Sequence, residues 1–168
     1  TVTINTASTM DEVVIENGGT LLLATNGRMN VANGTGDDIT INNGGIFQVT
    51  SADSYGTSMT FAASAVININ TGGKITIGNG GAIGSGYDAL ATAATPAHIW
   101  NTGGIVEWNI SGVFAASGST YFPNAAAGTT PIFRITAVTG TPGGGSNTLI
   151  NGLTQVNANF TWAAGAGN

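Results

Sequence analysis

The amino-acid sequence predicts an all-β fold, a right-handed parallel β-helix (solenoid) of about five coils, with an antiparallel β-sandwich as the alternative. Three observations carry this prediction. Apolar residues alternate with polar ones at period two, a double glycine recurs at a nearly constant interval, and no stretch sustains the 3.6-residue apolar period of an amphipathic helix. The only helix-tolerant segment runs from Asp88 to Ala94 and suffices for one or two turns.

The repeat defines the elements in order. Val13-Val-Ile-Glu-Asn-Gly-Gly-Thr-Leu-Leu-Leu23 is followed by Ile39-Thr-Ile-Asn-Asn-Gly-Gly-Ile-Phe-Gln-Val49. Ile67-Asn-Ile-Asn-Thr-Gly-Gly-Lys-Ile-Thr-Ile77 is the third copy and His98-Ile-Trp-Asn-Thr-Gly-Gly-Ile-Val-Glu-Trp108 the fourth. A degenerate fifth, Thr148 to Val156, keeps one glycine. The pairs Gly18-Gly19, Gly44-Gly45, Gly72-Gly73 and Gly103-Gly104 are spaced by 26, 28 and 31 residues. Each is a turn, because glycine reaches positive φ without steric penalty and the preceding Asn or Thr suits turn chemistry. A hairpin explains one such motif through a two-residue loop, but gives no reason for its recurrence. A solenoid does, since a single coil cannot bury its apolar face and must stack on identical neighbours.

Between the motifs lie other short alternating runs, Arg28-Met-Asn-Val31 and Ser58-Met-Thr-Phe-Ala62, which fit a third face of each coil. The strand-like Thr1-Val-Thr-Ile4 and Asn159-Phe-Thr-Trp162 stand at the two ends, without an amphipathic helical cap. Residues 1–168 therefore form one domain, with long loops expected at 78–96 and 111–145. The chain starts at Thr1 without a signal peptide and stops at Asn168 without a sorting tail, so it reads as a mature or excised piece of something longer.

Composition narrows the function classes. Only 7% of residues are charged, against an average of about 25%, so Asn, Thr, Ser and Gly must supply the polar surface. The net charge is −5, and Arg28, Lys74 and Arg134 form no basic run, which argues against nucleic acid and against an anionic membrane surface. No apolar run is long enough for a transmembrane helix. The absence of cysteine excludes disulfides, thiolate metal sites and cysteine nucleophiles.

Trp100-Asn-Thr-Gly-Gly-Ile-Val-Glu-Trp108, Ser119-Thr-Tyr-Phe-Pro-Asn124 and Pro131-Ile-Phe-Arg-Ile-Thr136 resemble segments of large surface proteins of Bacteroidota exported by the type IX system. The resemblance covers about the last 70 residues, while the first 95 share only the generic repeat. It implies an extracellular location, a long parent chain and a role in adhesion or surface filaments, and it carries over no catalytic residue.

The candidate sites are few. Parallel β-helices also serve as scaffolds for pectate lyases and polygalacturonases, whose chemistry needs acids clustered on one face. The acids considered are Asp37, Asp38, Asp53, Asp88 and Glu107, of which only Asp37 and Asp38 are adjacent, and these read as a solvated turn before the Ile39 strand. Gly80 to Leu90 resembles a calcium nonapeptide in the wrong register, which leaves Asp88 as a weak candidate for a cation. His98 is the only histidine, so no histidine triad or His-rich metal site is available. No enzyme activity and no cofactor are expected. Tyr87, Trp108 and Tyr121 are the residues suited to contact a glycan, by stacking on sugar rings. The expected partners are neighbouring repeats, or other copies stacked on the terminal coils.

Overall fold

The computed structural model describes residues 1–50, 59–78, 97–109, 128–137 and 153–157, without the side chains of Met59, Phe61, Ala97 and His98. Fourteen short strands and no helix are found among them. The strands are β1 (Val2–Ile4), β2 (Ala7–Met10), β3 (Val13–Ile15), β4 (Thr20–Leu23), β5 (Arg28–Val31), β6 (Ile39–Ile41) and β7 (Ile46–Val49). They continue as β8 (Met59–Phe61), β9 (Val66–Ile69), β10 (Lys74–Ile77), β11 (Ala97–Trp100), β12 (Ile105–Trp108), β13 (Ile132–Ile135) and β14 (Leu153–Val156).

These strands make three sheets, in the orders β1-β4-β7-β10-β12-β13-β14, β2-β5-β8 and β3-β6-β9-β11. Every described pairing is parallel. The antiparallel sandwich therefore finds no support, while the topology is compatible with a parallel β-helix. From β1 to β9 the chain visits the seven-, three- and four-stranded sheets in turn, three times over. The runs at Arg28–Val31 and Met59–Phe61 do form a third sheet, with β2.

Register explains why alternation is so regular. In the seven-stranded sheet one column runs Leu21, Phe47, Ile75, Val106 and Phe133, and the next runs Leu23, Val49, Ile77, Trp108 and Ile135. All ten side chains are buried, the first column in line with Val2 and the second with Ile4. Across the core, Ile39 and Ile67 stack, as do Ile15, Ile41, Ile69 and Trp100. Burying each such side chain stabilises by about 1.5–3 kcal/mol, and a one-residue slip would turn a whole strand inside out. Trp100 and Trp108 both face the core, since Trp100 follows Ile69 and Trp108 follows Ile77 in their columns.

Two expectations are corrected. The seven-stranded sheet has more rungs than the five expected, because β1 precedes the first double glycine and β13 adds a rung without one. Residues 111–145 are consequently not one projecting loop, since Ile132–Ile135 pairs with β12 on one side and β14 on the other. Position 130, which takes the place of the first glycine in that rung, is a threonine, and this hid the repeat. The loop expected at 78–96, the helical turn at 88–94 and the terminal strand at 159–162 lie outside the described residues.

The double glycine divides two tasks. Gly18, Gly44, Gly72 and Gly103 all have φ between 75° and 77°, the left-handed region that a Cβ disfavours. The second glycine is needed for space instead: a Cβ at Gly45, Gly73 or Gly104 would overlap the carbonyl oxygen of Ile15, Ile41 or Ile69 in the preceding rung. Two substitutions separate these tasks. Gly18→Ala meets open space and is expected to cost about 1–2 kcal/mol through φ alone. Gly73→Ala pushes against backbone and is expected to cost about 2–3 kcal/mol. Urea unfolding of both variants checks the order, and equal losses would show that spacing between rungs plays no part.

Candidate functional site

The turns that carry the double glycines join the four-stranded to the seven-stranded sheet, and their backbone is consumed by stacking. Gly18 N–H donates to Gly44 O, Gly44 to Gly72, Gly72 to Gly103 and Gly103 to Thr130, at 2.9–3.2 Å. Within each turn the second glycine donates back three residues, as Gly45 does to Asn42 at 2.8 Å and Gly73 to Asn70 at 2.8 Å. The eight turn glycines lie in the turns that lead from the four-stranded to the seven-stranded sheet.

Above this backbone run two rows of neutral polar side chains. In the inner row, Asn70 Nδ2 donates to Asn42 Oδ1 at 2.8 Å, and Asn101 Nδ2 donates to Asn70 Oδ1 at 3.0 Å and to Asn68 Oδ1 at 2.8 Å. In the outer row stand Asn43, Thr71 and Thr102, all exposed. Thr71 Oγ1 donates to Thr102 O at 2.8 Å, and Thr102 Oγ1 accepts from Thr130 N at 3.2 Å. Together the rows line an open groove of about 680 Å³.

The outward face of the seven-stranded sheet carries a second arrangement that sequence reasoning missed. Gln48, Thr76, Glu107, Arg134 and Gln155 occupy one register column. Lys74 Nζ lies 3.0 Å from Glu107 Oε1 and Arg134 Nη1 lies 3.4 Å from Glu107 Oε2. Thr76 Oγ1 donates to the same carboxylate at 3.3 Å, and Arg134 Nε donates to Gln155 Oε1 at 2.9 Å. Thr76 and Glu107 are only 5% and 8% exposed, so this carboxylate is held among its partners rather than offered to solvent. The signal for Lys74 was available, because counting from the double glycine sets it diagonally beside Glu107 in the next rung. Arg134 gave none, as its rung lacks the double glycine.

Asp37 and Asp38 are not a solvated turn, which corrects that expectation. Asp38 is 0% exposed. Its Oδ1 accepts from Gly34 N at 2.9 Å and its Oδ2 from Val66 N at 2.7 Å, so one carboxylate ties together the turn before β6 and the start of β9. Burial pushes its pKa up, but the hydrogen bonds donated by the Gly34 and Val66 N–H groups favour the charged form, and the group is held below its ordinary 3.8. Asp37 Oδ2 accepts from Asn68 Nδ2 at 2.6 Å.

Trp108 is also corrected as a ligand contact. It is 0% exposed and lies in the core column, so its ring has no face to present to a sugar. Tyr87, Tyr121 and the cation candidate Asp88 lie outside the described residues, as does Asp53. His98 is the second residue of β11, in register with Ile67. Among the described residues no three acids or histidines converge as a metal site.

No family model, curated protein or solved structure matches the chain.

Proposed function

We propose that the three sheets are the faces of a right-handed parallel β-helix, and that the chain is a structural or adhesive segment of a secreted or cell-surface bacterial protein. In this reading it forms part of a stalk, adhesin or filament and has no catalytic role. The hand follows from the rule that parallel crossover connections are right-handed in about 98% of cases. The extracellular setting rests on the motif resemblance to surface proteins of Bacteroidota.

The observation that carries the reading is an open end. Among the described residues β1, β2 and β3 are each the outermost strand of their sheet, so one edge of each has backbone N–H and C=O groups with no described strand beside them. The core is open there too. Val2 continues the column of Leu21 and Phe47 but is 66% exposed. With Met10, Val13, Ile15 and Leu21 it lines an apolar pocket of about 290 Å³. At the far side of the seven-stranded sheet Val156 continues the column of Ile135 and is 51% exposed. Apolar columns cut off at their last rung suit the addition of another coil, from the same chain or another copy. The two buried acids support a structural role, since Asp38 and Glu107 are both engaged by partners within the fold.

Sedimentation velocity across a wide concentration range tests this. End-to-end association that grows with concentration is expected, and Val2→Lys with Met10→Lys should suppress it by placing charges in the open core. A wild-type chain that stays monomeric at millimolar concentration overturns the stacking proposal.

A further inference from the structure

We propose that the groove over the double-glycine corner is a binding site for a neutral, hydroxyl-rich polymer, an extended polysaccharide lying across successive rungs. The chemistry of the groove selects this class. Its inner row is Asn42, Asn70 and Asn101 and its outer row Asn43, Thr71 and Thr102, so every one of these groups is uncharged. A hydroxyl both donates and accepts, and an amide or a threonine offers both functions side by side. Anionic glycans find no cation in these rows, and the carboxylate that continues the inner row, Glu16 in the first double-glycine rung, is not part of the groove's lining.

Peptide strands are disfavoured for a different reason. Strand addition needs free backbone donors and acceptors, and here the Gly18-Gly44-Gly72-Gly103-Thr130 hydrogen bonds already use them. What remains is side-chain capacity. Asn42 accepts at Oδ1 within the ladder while its Nδ2 donates to no described residue, and the exposed Asn43 amide makes no hydrogen bond to a described residue. The ladder bonds hold the inner amides in one orientation before any ligand arrives, so little side-chain entropy is lost on binding.

Geometry sets the shape of the ligand. Successive rungs each present an inner Asn and an outer Asn or Thr at about 4.8 Å, the spacing of neighbouring strands. A chain molecule with regularly repeated hydroxyls can meet each rung in the same way, whereas a single small sugar meets only one or two. Each contact is weak without an aromatic platform, and affinity accumulates along the groove as successive sugar units engage. The proposal is independent of the stalk reading: a monomeric chain would sink that one and leave this one standing.

Affinity gel electrophoresis of the 168-residue chain in gels containing xylan, galactomannan or a soluble β-glucan is the test, with alginate as the anionic control. Retardation by at least one neutral glycan and none by alginate is expected. The double variant Asn43→Ala/Thr71→Ala leaves the inner ladder intact, and should lose about fivefold in apparent affinity with an unchanged circular dichroism spectrum and melting temperature. Tyr87→Ala and Tyr121→Ala should leave retardation unchanged. The proposal is overturned by no retardation with any neutral glycan, by equal retardation in alginate, or by a double variant that binds like wild type. Loss of binding in the tyrosine variants alone would overturn it as well, in favour of the loop aromatics.

Discussion

Asp38→Ala is expected to destabilise the protein by about 2–4 kcal/mol, because it removes a charged acceptor worth about 1.5–3 kcal/mol from the half-buried Val66 N–H, while the exposed Gly34 N–H can turn to water. The Gly34 and Val66 amides would lose partners at 2.9 and 2.7 Å, with Asp38 itself fully buried. Asp38→Asn keeps one acceptor oxygen but turns an NH2 toward the other amide, so it should recover only part of the loss. The same carboxylate predicts a pH dependence. A folded-state pKa below the ordinary 3.8 means that the native state holds this proton less tightly than the unfolded chain. Its contribution is therefore complete above about pH 4 and is lost as the pH falls through the folded value. Urea unfolding of wild type and Asp38→Asn from pH 7 to about pH 2.5 reads this directly. The stability gap between them should narrow at the acid end, and a constant gap would show that Asp38 is not ionised in the folded state.

Trp108→Ala should cost about 3–5 kcal/mol, the range for deleting a large ring from a packed core. For a chain of this size that lowers the melting temperature by roughly 6–20 °C. The ring lies between Ile77 and Ile135 in its column and is 0% exposed, so the cavity opens in the middle of the stack. Trp108→Phe, which keeps an aromatic ring there, should lose markedly less. Scanning calorimetry of the two variants gives the order. A Trp108→Ala protein that melts with wild type would mean that the ring is not packed in the core. This also changes how any loss of glycan binding in Trp108→Ala should be read, since it would follow from a weakened fold rather than a missing contact.

Much of the fold was legible because its signals are local. Ile39-Thr-Ile41 announces a strand with two faces, and Asn43-Gly44-Gly45 announces a turn, from neighbours alone. The amide ladder was legible too, as Asn42 and Asn70 hold equivalent places relative to the double glycine. Of the candidate site, the turn glycines were readable for the same reason. Asp38 was misread because nothing beside it in sequence reveals that Val66 N, 28 residues on, needs its carboxylate. Trp108 was misread because the aromatic residues of the chain look alike until register says which face each one takes.

What the sequence determined by itself, then, is the repeat: period-two strands, glycine corners and a neutral Asn/Thr surface, all set by φ preferences and hydrophobic alternation over a few residues. Tertiary packing settled which strand stacks on which. It set seven rungs where five were expected, brought Lys74 and Arg134 onto Glu107 across 33 and 27 residues, and buried Asp38 between β6 and β9. These contacts join positions a whole repeat or more apart. The length of the intervening chain, which varies from repeat to repeat, selects each partner, and no local pattern encodes that length.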